Sequence, residues 1–185
     1  GRSDKFLYPR QAGSLYHTTK IMDTDLLWFY TRVWDLRVTD LMQGPVYGMF
    51  TNEMSVDEKL STHFSYDELF GTVLNRFIVQ AVSGNPITIY GKGGQTRGYI
   101  NIIDTVNCIR IAIENPAEQG QMKIYNQFTE TFSVNSLAQI VKNTGDGLGL
   151  DVNIINIDNP RKEMEEHYYN PVHTGLIDIG LEPTY

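Results

Sequence analysis

The 185-residue chain has little cysteine, no excess of basic residues and no long apolar run, and each shortage removes a class of function. Cys108 is its single cysteine, so neither an internal disulfide nor a cysteine metal cluster can form. The stretch around it, "DTVNCIRIAIEN", repeats apolar residues at helical spacing and marks Cys108 as a small core residue. Against 22 acidic residues stand 15 basic ones, a net charge of −7. That balance argues against bulk attraction to nucleic acid or an anionic membrane, although single arginines can still bind phosphate. No apolar run approaches the roughly 18 residues of a membrane span. The opening "GRSDKFLYPRQAG" lacks the apolar segment of a signal peptide. We therefore expect a soluble, cytoplasmic protein with no nucleic-acid or membrane partner.

Several catalytic signatures are also missing. There is no G-x-S-x-G of a serine hydrolase and no HExxH. His167 and His173 are poorly spaced for a metal, so no metal site is expected. "GKGGQTRG" does not end in the GK[ST] of a phosphate loop, and Thr96 stands where a dinucleotide fingerprint needs its third glycine. "GDGLGL" fails in the same way at Leu150.

What remains is alternation. Residues 14–34 read as a helix with an apolar stripe of Leu15, Met22, Leu26, Phe29 and Val33. "LRVTDLMQG" follows as a buried strand, and residues 50–65 as a long loop over a site. A second helix spans "YDELFGTVLNRFIVQAVSG" and ends on Gly84. Strands at "ITIYG" and "GYINI" flank the glycine-rich turn. Asp104 is placed to cap a helix over 105–114, and Ser133 to cap "SVNSLAQIVKNTG". "MKIYNQF" and "VNIINI" read as strands, and "PVHTGLIDIGLEP" as a short closing helix. Alternating helices and strands indicate an α/β class with a mainly parallel sheet.

Three groups of residues carry possible chemistry. In "GSLYHTTK", Tyr16 and Lys20 lie one helical turn apart on one face. A nearby ammonium stabilises a phenolate and can bring tyrosine, with its ordinary pKa of about 10, into use as a general base. The spacing is weak by itself, since chance supplies about 0.4 such pairs in a chain of this composition. Arg97, delivered by a glycine-rich turn, can fork onto a diphosphate or be an exposed hairpin arginine. Arg161 in "NPRKEMEEHYYN" is either a phosphate ligand or part of a charged surface loop.

The order of motifs is more specific than any one of them. Y-x-x-x-K opening a long helix, then "LRVTDLMQGPVYG", then "NRFIVQAVSGNPITIYGKGGQTRGYINIIDTVNCIRIAIENP", resembles the C-terminal half of an extended short-chain dehydrogenase/reductase. That family acts on nucleotide sugars, and the resemblance runs from about Gly13 to Pro183. "YHTTK", "MQGPVYG", "YGKGGQTRGY", "YNQFTE", "SVNSLA" and "NPRKEMEEHYYNPVHT" are most similar to the branch that joins sulfite to UDP-glucose.

The resemblance implies NAD as cofactor, UDP-glucose and sulfite or a sulfite donor as partners, and a homodimer at full length. A plant protein of this kind would lie in the chloroplast stroma. Tyr16 would be the base and Lys20 its electrostatic and ribose-binding partner. Gln43 and Val46 would line the nicotinamide and sugar site. Thr72, Asn75 and Arg76 would contact the nucleotide sugar, Arg97 and Arg161 its diphosphate and uridine, and His17 the hexose C6 end or the sulfite.

The implied fold is the C-terminal part of a Rossmann-type doubly wound parallel sheet plus a smaller α/β substrate-binding lobe. Residues 1–48 would close the NAD-binding lobe, and 49–185 would form mainly the nucleotide-sugar lobe, with segments returning to the first. The family's glycine-rich NAD turn and the Ser/Thr of its triad have no counterpart here, so the chain is expected to be a fragment that by itself binds NAD poorly. Its strand "LRVTDLMQ" is expected to lack a neighbour. Two other readings are compatible with the motifs: a different NAD-dependent nucleotide-sugar 4-epimerase or 4,6-dehydratase, and a non-catalytic binding protein of the same fold.

Overall fold

The computed structural model describes residues 12, 14–67, 70–159 and 169–184. Helix α1 spans Leu15–Trp34, and Ser14 starts it by accepting the His17 amide on its hydroxyl. Asp35 then turns the chain with a left-handed φ of 56°, a conformation aspartate tolerates better than most residues. The chain continues into strand β1 (Val38–Gln43) and the two-residue β2 (Val46–Tyr47).

The 50–65 loop holds two 3₁₀ turns, Asn52–Ser55 and Glu58–Leu60. Helix α2 runs only from Val73 to Val82, shorter than expected, because Thr72 caps it by accepting from the Asn75 amide. Gly84, at φ 73°, ends it in the anticipated left-handed conformation. Then come β3 (Ile87–Tyr90), β4 (Thr96–Asn101), α3 (Ile102–Glu114), β5 (Met122–Gln127), β6 (Glu130–Ser133), α4 (Val134–Gly147) and β7 (Ile154–Ile157). Ser133 caps α4 as expected, in a reciprocal box with Ser136.

Three sheets organise these strands. β1 pairs in parallel with β5, from Val38 opposite Met122 to Gln43 opposite Gln127. β4 lies between β2, parallel to it, and antiparallel β6. β3 pairs in parallel with β7. Parallel strands and covering helices make this a Rossmann-type α/β arrangement. The larger core lies where α2 and α4 close over β3 and β4, around Phe77, Ile87, Ile89, Leu137 and Val141. Burying a phenylalanine such as Phe77 contributes about 1.5–3 kcal/mol. A second cluster joins Ile100, Cys108 and Ile111 to Leu176 and Leu181.

Several expectations need correction. β1 does have a neighbour, β5, which sequence adjacency hides; its other edge carries no strand among the described residues. The α1 stripe is not buried. Leu15, Met22, Leu26, Phe29 and Val33 are all exposed, whereas Thr24 and Thr31 face inward. Small threonines let the helix lie close to the β1–β5 ribbon, and nothing among the described residues covers its other side.

α3 begins three residues before the expected Thr105, and Asn101 rather than Asp104 is its cap, accepting from the Ile103 amide at 2.9 Å. Asp104 is fully buried instead. Both its oxygens accept from the Thr184 amide, at 3.0 and 3.1 Å, and fasten the chain's end over the second core. Residues 175–180 form consecutive turns rather than a helix, with Gly180 at φ 110°.

β4 passes through a tight place at Gly98. A β-carbon there would fall 2.4 Å from the Phe128 ring, which is itself stacked on His173 at 4.4 Å. Gly98→Ala is therefore expected to lower unfolding free energy by about 1–3 kcal/mol, the usual effect of forcing extra volume into a packed interior. Urea denaturation measures this, and a midpoint equal to wild type would show that Phe128 gives way freely.

Candidate active site

α1 runs back along β1, and Thr24 ties the two together by donating to Asp40 at 2.8 Å. Tyr16 precedes Thr24 by eight residues, about 12 Å of helix. Gln43 follows Asp40 by three residues, about 10 Å of strand. Because helix and strand run in opposite directions, both displacements point the same way. Tyr16, His17 and Lys20 thus stand near the carboxyl ends of β1 and β5, where Gln43 is exposed. In open α/β sheets that end is where ligands bind.

The three helix residues form a small open constellation. Tyr16 is 66% exposed. The Lys20 ammonium lies 5.8 Å from the centre of its ring. Lys20 also donates to Asp23 at 2.8 Å. That bond, followed by the charge of Asp23, holds the ammonium above the ordinary lysine range. His17 packs edge-on against Tyr16, ring centres 5.4 Å apart, and its Nδ1 pairs with the Ser14 hydroxyl at 2.7 Å.

A cavity of about 370 Å³ lies between α2, β3 and β4. Thr72, Arg76 and Arg97 line it, so the fold gathers three of the residues singled out from sequence. Arg97 is a residue of β4, half-buried, and not the tip of an exposed hairpin; β3 and β4 are not paired with each other. Its guanidinium donates to the Thr96 carbonyl at 2.9 Å. Arg76 donates to the Thr88 carbonyl at 3.0 Å and lies 4.0 Å above the Tyr90 ring. Among the described lining residues two guanidinium groups, Arg76 and Arg97, stand with one carboxylate, Asp67, and a guanidinium is a group suited to phosphate.

Val46 and Asn75 line a smaller neighbouring cleft of about 210 Å³, which Thr72 also borders. There Asn75 Nδ2 donates to the Ser65 carbonyl at 2.8 Å, so one side of this amide is spent on holding the 50–65 loop. Arg161 lies outside the described residues. Gln43 lines neither cavity.

Sequence reasoning missed Tyr90, Gln95 and Tyr99, all of which line the larger cavity. Gln95 was inside the quoted glycine-rich turn, and Tyr99 shares a strand face with Arg97. Burial pushes the Tyr99 phenol up to about 12, against the opposing effect of the Arg97 charge. Tyr99 is thus neutral and serves as wall rather than as base. Among the described residues no group of three or more His, Cys, Asp or Glu side chains is placed to hold a metal. No described helix is long and apolar enough to cross a membrane.

The NAD dependent epimerase/dehydratase family matches residues 3–126, two thirds of the chain. The chain belongs to that family. The UDP-sulfoquinovose synthase of spinach chloroplasts is 52% identical to this epimerase/dehydratase chain over 183 residues. The alignment takes in 99% of the chain and 38% of the spinach protein. The UDP-sulfoquinovose synthase of Sulfolobus acidocaldarius is 50% identical, over 99% of the chain and 46% of that protein. The chain therefore spans less than half the length of these relatives.

Among solved structures, a Thermotoga maritima UDP-glucose 4-epimerase with UDP-glucose superimposes with a TM-score of 0.72 at 20% identity. It matches 98% of this chain and 54% of its own. A Thermus thermophilus UDP-glucose 4-epimerase with NAD gives 0.69, also at 20% identity, over 100% and 53%. At that identity the likeness establishes the shared fold.

Proposed function

We propose that this epimerase/dehydratase chain is part of a UDP-sulfoquinovose synthase, which converts UDP-glucose and sulfite to UDP-sulfoquinovose and water. Identity of 52% and 50% to two proteins of that name, over nearly the whole chain, carries the reading. The exposed Tyr16–Lys20 pair at the strand ends supports it from the side of chemistry.

NAD fits this site at one end. The Lys20 ammonium and the Gln43 amide offer a donor and an acceptor for a ribose and a carboxamide, whereas the chain has no G-x-G-x-x-G turn for the pyrophosphate. Val46 stands three residues past the end of β1, at the start of β2. When bound, NAD supplies the acceptor for hydride from C4 of the sugar and later the hydride that restores it.

Tyr16 takes the proton from O4 as the sugar is oxidised, and the ammonium of Lys20 stabilises its phenolate. The resulting ketone acidifies the hydrogen at C5, so water can leave across C5 and C6. Sulfite then forms a bond to C6 as the C5–C6 double bond opens and C5 takes back a proton, and Tyr16 returns the proton to O4 as the ketone is reduced. His17, beside Tyr16, meets the C6 end or the incoming anion in this reading. Thr72, Asn75 and Arg76 hold the nucleotide sugar, and Arg97 and Arg161 its diphosphate and uridine. The apolar residues exposed along α1 suit a second copy of the same protein, so the full-length form is proposed as a homodimer.

The test is incubation of the full-length protein with UDP-glucose and sulfite, followed by mass spectrometry of the nucleotide fraction. The expected product carries a C6 sulfonate and appears only when sulfite is added. A sulfite-independent yield of the C4 epimer or of a 4-keto-6-deoxy sugar would instead assign an epimerase or a dehydratase.

A further inference from the structure

Gln127 is an amide where a buried parallel strand normally carries an apolar side chain. It closes β5, is 1% exposed, and stands in register with Gln43 at the end of β1. Its Nε2 donates to the carbonyl oxygen of Thr105 in α3 at 3.2 Å. Its Oε1 accepts from Gln43 Nε2 at 3.3 Å. Fully buried Cys108 of α3 lies beside the same side chain.

The polarity of this chain follows from its first link. A backbone carbonyl can only accept, so the Gln127 nitrogen must face Thr105 and its oxygen must face Gln43. That oxygen can only accept in turn, so Gln43 must offer it nitrogen. The Gln43 oxygen is then the end left pointing away, and no described residue donates to it.

We propose that Gln127 is a positioning residue, which fixes the exposed Gln43 amide so that its Oε1 is presented as an acceptor to a ligand bearing a hydrogen-bond donor. The inference rests on the proposed function for its ligand. The donor is a carboxamide N–H, as on nicotinamide, or a sugar hydroxyl, as on UDP-glucose. A freely turning Gln43 amide would present oxygen and nitrogen alternately and lose part of that selectivity.

The test is a double-mutant cycle in the full-length protein with Gln127→Met and Gln43→Ala, read by NADH fluorescence and by UDP-glucose calorimetry. Gln127→Met should weaken one of the two ligands roughly 3- to 10-fold, the range of one neutral hydrogen bond. Which ligand weakens identifies the donor. In the Gln43→Ala background the same substitution should have no further effect, because its target is gone. A loss of equal size in both backgrounds, or none in either, overturns the proposal and leaves the proposed function standing. Wild type that binds neither ligand overturns both.

If Gln127→Met does not fold, wild-type protein labelled at glutamine side-chain amides gives a second reading. One amide should exchange with solvent at least 100-fold more slowly than the others, as a pinned and buried group does. Solvent-rate exchange at every glutamine amide would overturn the proposal as well.

Discussion

Tyr16→Phe in the full-length protein is expected to lower turnover by roughly 10²–10⁴-fold while UDP-glucose affinity stays within a few-fold of wild type. The substitution removes one oxygen from a ring that is two-thirds exposed and keeps its edge-on contact with His17, so stability should change little. α1 places the Tyr16 ring beside the Lys20 ammonium, 5.8 Å from it. Loss of rate with binding intact is the signature of a group needed in the transition state and not in the ground state. Rate and affinity are separated by single-turnover measurement with calorimetry on the same preparation. Turnover within a few-fold of wild type would remove Tyr16 from the chemistry and return the pair to an ordinary helix surface.

Arg97→Ala is expected to weaken UDP binding by about 10- to 100-fold, the scale of a lost charge-assisted contact to phosphate. Arg97 is half-buried on β4 and lines the cavity together with Arg76, so the charge acts where solvent screens it less than at a free surface. Arg97→Lys should recover part of the affinity, because a point charge replaces the fork without its two parallel bonds. The salt dependence of binding should also become shallower in Arg97→Ala. Calorimetry with UDP at two ionic strengths reads both effects, and wild-type affinity in the alanine variant would leave the cavity without its proposed diphosphate ligand.

Local chemistry made some of this protein readable without coordinates. Ser133 sits directly before helical spacing and does cap α4, because a hydroxyl satisfies free amides where a helix starts. Gly84 ends α2 for an equally local reason, the low cost of a positive φ without a β-carbon. β1, β3, β4, β5 and β7 were visible as apolar runs. The two-residue β2 and the polar β6 were not, since neither is long or apolar enough to show a period.

The candidate site divides in the same way. That Tyr16 and Lys20 share a face is a property of four residues on any helix, and sequence order alone placed the pair within its family. Tertiary structure alone decided which side of α1 is buried, for the spaced apolar residues face outward and two threonines face in. It also decided that Arg97 stands in a strand beside Arg76, and that Asp104 holds Thr184 instead of capping a helix. The Gln43–Gln127 bond joins residues 84 positions apart. Spacing on one element follows from backbone geometry. Which elements meet depends on burial summed over the whole fold, and no stretch of sequence carries that sum.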